Sequence, residues 1–142
     1  MNGFSLIELL VVLVILAGLL TIAFPGYEQV VRKSARAAAR VALLDVVTRQ
    51  QQFFIYHKRY ATDLADLGLP SEYFIDARGD AVAQPAASFE IRLQIEQTGY
   101  SGAEALAVNR QSRDAGCLRL VLSQIGRRYA SAVDGRRALD CW

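Results

Sequence analysis

Residues Phe4 to Phe24 read FSLIELLVVLVILAGLLTIAF, 21 residues carrying one charge, Glu8. At 1.5 Å per residue the run forms a helix of roughly 31 Å, about the hydrocarbon thickness of a bilayer. Met1-Asn2-Gly3 precedes it, and the sequence after Pro25 is soluble in character. The run does not read as a discarded signal peptide. Its N-terminal flank has no Lys or Arg, it is too long for a typical h-region, and Phe24-Pro25-Gly26-Tyr27 is not a small-residue cleavage site. A retained membrane segment is the expectation. Glu8 is then the costly residue, because a carboxylate in mid-membrane costs about 2.5 kcal/mol or more, and less near a helix end. Either Glu8 lies at the interface or it has a charged partner.

The remainder is enough for one modest domain. The formal net charge of +2 is too small to argue for nucleic acid on its own. The charges are segregated, however. Glu28 to Arg59 holds seven Lys/Arg and two acids, Asp63 to Glu104 eight acids and two Arg, and Arg110 to Trp142 seven Arg and three Asp. These blocks are either solvated faces or patches that meet across like subunits. The two cysteines, Cys117 and Cys141, suit a disulfide in an extracytoplasmic body. It would close a loop of about 25 residues and contribute roughly 3.5 kcal/mol. The alternative is two unpaired thiols, since a single histidine, His57, leaves no metal-ligand set.

Tyr27 to about Lys58 lacks Gly and Pro and is dense in Ala, which predicts a helix. An apolar or small stripe recurs at Tyr27, Val30, Ser34, Ala37, Val41, Leu44, Thr48, Gln51 and Ile55. Joined to the apolar run across a bend at Pro25 and Gly26, it predicts one helix from Phe4 to Lys58 of roughly 80 Å. Ala35, Ala38 and Ala42 would admit another helix at close range. Tyr60 to Pro70 reads as a short helical turn capped by Thr62 and ended by Gly68, with Leu64, Leu67 and Leu69 packed on the helix. Tyr73-Phe74-Ile75 is an apolar anchor, and Asp76 to Ala87 a loop. Phe89, Ile91, Leu93 and Ile95 alternate with polar residues and give the clearest strand. Thr98 to Gly102 reads as turn, and further strands are predicted at Ala105–Val108, Leu118–Leu122 and Tyr129–Val133. The expected fold is α+β: a long helix, half membrane-spanning and half amphipathic, on an antiparallel sheet of about four strands with a C-terminal disulfide loop. The organisation reads as 1–3 leader, 4–26 apolar helix, 27–60 amphipathic half, 61–87 connection, and 88–142 sheet and disulfide-closed region.

The start of the chain, Gly3-Phe4-Ser5-Leu6-Ile7-Glu8-Leu9-Leu10-Val11-Val12, resembles the class III prepilin motif of the type IV pilins and pseudopilins. The resemblance implies cleavage by a prepilin peptidase between Gly3 and Phe4 and N-methylation of Phe4. It makes Glu8 the acid that sets register by neutralising the Phe4 amine of a neighbouring copy. Tyr27 to Tyr60 is similar to the pilE-like minor pilins, through Arg32-Lys33-Ser34-Ala35-Arg36, Leu43-Leu44 and Gln50-Gln51-Gln52-Phe53-Phe54. The implied protein is a minor pilin that assembles or primes a type IV pilus. It waits in the inner membrane with its body in the periplasm, then enters an extracellular filament. Its implied partners are other pilin subunits, the peptidase and the inner-membrane assembly platform. By the positive-inside rule alone, Arg32, Lys33, Arg36 and Arg40 would keep the body in the cytoplasm. The resemblance places it outside.

No catalytic constellation is found: no nucleophile has an evident base, and there is no phosphate loop or metal spacing. The chain reads as a non-enzyme without cofactor or metal. His57 is expected at the C-terminal end of the helix. The competing functional reading is DNA uptake or adhesion. Arg110, Arg113, Arg119, Arg127, Arg128, Arg136 and Arg137, with Tyr129 and Trp142 as stacking residues, are candidates for contact with a nucleic-acid backbone. Otherwise these arginines pair with the acidic middle segment or face solvent.

Overall fold

A computed structural model describes residues 5–97 and 99–142, and the side chains of all of these but residues 22–25 and 139. Gly3 and Phe4, where cleavage and methylation are expected, lie outside the described residues. One helix, α1, runs Leu6–His57 and stays helical through Pro25 and Gly26. His57 ends it, its ring tilted against that of Phe53 with centroids 4.1 Å apart. The chain forms two units, Met1–Val31 and Arg32–Trp142.

In the first unit, the large apolar side chains from Leu6 to Leu20 are all exposed. The Thr21 hydroxyl donates to the Gly18 carbonyl at 2.7 Å, so this polar group is satisfied within its own helix. By length and composition this part of α1 is able to cross a membrane. A helix apolar on every side has its favourable surroundings in lipid or among other such helices.

The second unit packs the Arg32–His57 part of α1 on a five-stranded antiparallel meander in the order β1-β2-β3-β4-β5. The strands are β1 Tyr73–Ile75, β2 Phe89–Glu96, β3 Gly99–Ala107, β4 Arg119–Ser123 and β5 Arg128–Ser131. The expected apolar anchor at Tyr73-Phe74-Ile75 is thus an edge strand, paired to β2 through Tyr73↔Ile91. The expected turn from Thr98 to Gly102 is instead the first half of β3, except that Thr98 is outside the described residues. Its glycines serve the strand. Gly99 supplies a φ of +113°, and a Cβ on Gly102 would sit 2.5 Å from the Leu122 carbonyl oxygen of β4. Between them Ser101 is an extra residue, because the register passes from Gln94↔Gly102 to Ile95↔Tyr100. In β5 the core-facing residue is Ala130, whereas Tyr129 and Ser131 are only half-buried.

The core corrects the expected helix face. The buried positions of α1 are Ala35, Ala39, Ala42, Leu43, Val46 and Gln50. They meet Phe89, Ile91, Ala103, Ala105, Leu120 and Leu122 from the sheet. The predicted stripe lies outside this face: Val41 is 67% exposed and Ile55 62%. Ala35 and Ala42 therefore admit the body's own core rather than a foreign helix, and Ala38 admits Gly79, whose added Cβ would stand 3.6 Å from the Ala38 Cβ. Leu64 and Leu67 join the core as expected, with Leu69 partly buried beside it. Thr62 does not cap their short turn: Leu64 holds the N-cap position without a side-chain bond, and the Asp63 carboxylate just before it accepts the Ala65 N–H at 2.8 Å. The Cys117–Cys141 disulfide is present, with its Cα atoms 5.8 Å apart.

Candidate nucleic-acid interface

The arginines of the last third are separated by the meander. Arg127 and Arg128 lie at the β4–β5 hairpin, while Arg110 and Arg113 lie in the 3-10 turn Asn109–Arg113 that carries β3 into β4. Arg119, Ser131 and Arg137 stand side by side through the pairs Arg119↔Ser131 and Ser131↔Arg137. They border a shallow depression of about 190 Å³ that also takes in Val121, Tyr129 and Gly135.

Their charges have different company. Arg119 is held by Glu104 at 2.6 Å, a pairing with the acidic middle segment, and Arg136 by Asp134 at 2.8 Å. Arg128 lies over the Trp142 ring at 5.6 Å and Arg137 over the Tyr129 ring at 5.5 Å. The Trp142 indole N–H donates to the Tyr129 carbonyl at 2.6 Å, which links the two stacked pairs. Arg110, Arg113 and Arg127 are exposed and pair with no carboxylate among the described residues. Farther along the sheet face Arg92 is neutralised by Glu90 at 2.7 Å. The sheet face is therefore of mixed charge, and the arginines of the connections add positive charge beside it.

The turn holding Arg110 and Arg113 is clamped at both ends. Asn109 takes a left-handed φ of 49°, tolerated best by Asn among non-glycine residues. Its side-chain amide donates to the Gln84 and Ala87 carbonyls at 2.6 and 3.0 Å. At the other end Asp114 is buried, 7% exposed. Its carboxylate accepts two bonds from the Arg36 guanidinium of α1, both 2.6 Å, and one from the buried Gln111 amide at 3.0 Å. Sequence reasoning missed this lock. Arg36 and Asp114 are 78 positions apart, and no local pattern joins them.

At the far end of the body, Phe54, Tyr60 and Tyr100 form a run of ring contacts at 4.6 and 5.3 Å. Burial, with a smaller contribution from Tyr60, pushes the Tyr100 hydroxyl well above its ordinary pKa, and that hydroxyl has no hydrogen-bond partner among the described residues. Glu8 lies in the exposed first turn of α1.

A long helix with an apolar N-terminal segment, an antiparallel sheet packed on its later part and a C-terminal disulfide define a type IV pilin. The chain belongs to the family described as "Type IV minor pilin ComP, DNA uptake sequence receptor", which matches residues 25–121. No curated protein matches the chain. Membership makes it a structural, non-catalytic protein that interacts with other pilins and the assembly machinery. The apolar helix and the family together are consistent with a membrane-anchored precursor that later joins an extracellular filament.

Proposed function

We propose that this minor pilin serves DNA uptake, presenting a body that binds duplex DNA by its backbone. The family match carries the reading, since the matched description is that of a DNA-uptake receptor. The exposed arginines of the connections, with Arg128 and Arg137 on aromatic rings, support it. Phosphate contacts supply most sequence-independent affinity and release counterions, so binding weakens with salt at a slope of about 0.9 per phosphate on a log–log scale. The test is a titration of the full chain, in non-ionic detergent, with a fluorescent duplex at several salt concentrations. A steep negative slope is expected. A flat slope, or no binding at low salt, would remove the reading.

Assembly into a filament is the second part of the proposal. It is supported by the apolar segment and by Val41, Leu44 and Ile55 on the outer side of α1, whose exposure suits contact with neighbouring pilins. On this reading the chain is cut between Gly3 and Phe4, Phe4 is methylated, and Glu8 answers the Phe4 amine of a neighbour. Pro25 and Gly26 are where α1 yields on assembly. The Glu8→Ala variant is expected to insert in the membrane and keep a native body, yet to be depleted from sheared filaments. Normal incorporation would show that the carboxylate does not set register.

A further inference from the structure

We infer that the 3-10 turn Asn109–Arg113 is a preformed clamp for two DNA phosphates, and that Arg36, Gln111 and Asp114 are the positioning residues that hold it. The inference rests on the DNA-binding reading above and names the element that makes contact.

The turn has more restraint than a surface connection requires. A left-handed asparagine fixes its start by two side-chain bonds to the β1–β2 connection. A partly buried ion pair, with its carboxylate inside, fixes its end to the helix. Burying such a pair costs desolvation and often contributes no net stability, so a well-packed apolar contact would hold the turn equally well. What the pair adds is direction, through a bidentate fork with fixed geometry. The side chains left facing solvent include Arg110 and Arg113, while Gln111 points inward to Asp114. In a 3-10 helix residues i and i+3 eclipse, with a rise of about 2 Å per residue, so the two arginines share one face about 6 Å apart. Successive phosphates of one strand advance about 3.4 Å along the duplex axis and are also displaced around it, so the spacing of the two arginines suits neighbouring phosphates of one strand. Asp114 is the acid adjacent to Arg113 in sequence, and its carboxylate is already engaged by Arg36 and Gln111, which leaves the Arg113 charge to a ligand.

The test uses the full chain in non-ionic detergent and the same duplex, with Arg110→Ala/Arg113→Ala, Asp114→Asn, Arg36→Lys and their combinations. The paired arginine variant is expected to lower the salt slope by about 1.8, two phosphates' worth. Asp114→Asn removes a negative charge, so bare electrostatics predicts tighter binding, whereas loss of positioning predicts weaker binding. Arg36→Lys keeps the net charge and the fold but loses the fork, and it too should weaken binding. It is read in place of Asp114→Asn if that variant does not unfold cooperatively. In the Arg110→Ala/Arg113→Ala background neither variant should weaken binding further, although each should lower the melting temperature as much as in the native background. Three outcomes overturn the inference while the DNA reading stands: an unchanged slope in the paired arginine variant, tighter binding by Asp114→Asn, or equal losses in both backgrounds. Absence of binding by the native chain overturns the reading and the inference together.

Discussion

Gln50→Leu is expected to destabilise the body by about 2–6 kcal/mol. Gln50 is fully buried in the core face of α1, where an aliphatic residue would be the ordinary choice. Its amide nitrogen donates to the Ala61 carbonyl at 2.8 Å and its amide oxygen accepts the Ala61 N–H at 3.0 Å. The side chain thus substitutes for a strand partner and pins the chain just after α1 ends. Leucine fills a similar volume but leaves both backbone groups of the fully buried Ala61 unpaired, at about 1–3 kcal/mol each. Denaturant unfolding of the full chain in detergent checks this. A loss below about 1 kcal/mol, the size of an ordinary substitution, would mean that water or a local shift satisfies Ala61.

Removal of the disulfide is the second large effect. Cys117 and Cys141 are both buried, and the bridge ties the chain just ahead of β4 to the C-terminal 3-10 turn Leu139–Cys141. On the chain-entropy account its loss destabilises by roughly 3.5 kcal/mol. The effect has a local reporter, because Trp142, the single tryptophan, follows Cys141 directly. Its indole is half-buried, bonded to Tyr129 and covered by Arg128. The Cys117→Ser/Cys141→Ser variant should melt at lower temperature, and its tryptophan emission should shift to the red before the body unfolds. Unchanged melting together with unchanged emission would show that the chain end is held without the bridge.

Much of the architecture was legible because its signals are large and local. The apolar run, the β2 alternation and the cysteine pair each announce themselves over a few residues. The core face of α1 was not, for a physical reason. The body buries small residues, Ala35, Ala39 and Ala42, and one polar residue, Gln50, while the bulkier Val41, Leu44 and Ile55 remain outside. A reading weighted by side-chain size therefore chooses the wrong face wherever a helix also has exposed bulky apolar residues. The glycines of β3 misled similarly, since close strand approach at Gly102 and a turn look alike in a sequence. Of the candidate interface, the arginine-rich last third was visible, but its division was not. Whether Arg119 meets Glu104, and whether Arg36 reaches Asp114, is decided by strand pairing and by contacts 15 and 78 positions apart.

The central claim joins a filament subunit to a DNA-binding body, and both halves meet in one measurement. Filaments sheared from cells with and without this chain are mixed with labelled duplex, and the retained DNA is measured against salt. Filaments containing the chain are expected to hold duplex at low salt and release it as salt rises, while filaments lacking it hold markedly less. Equal retention by both, at every salt concentration, would contradict the claim.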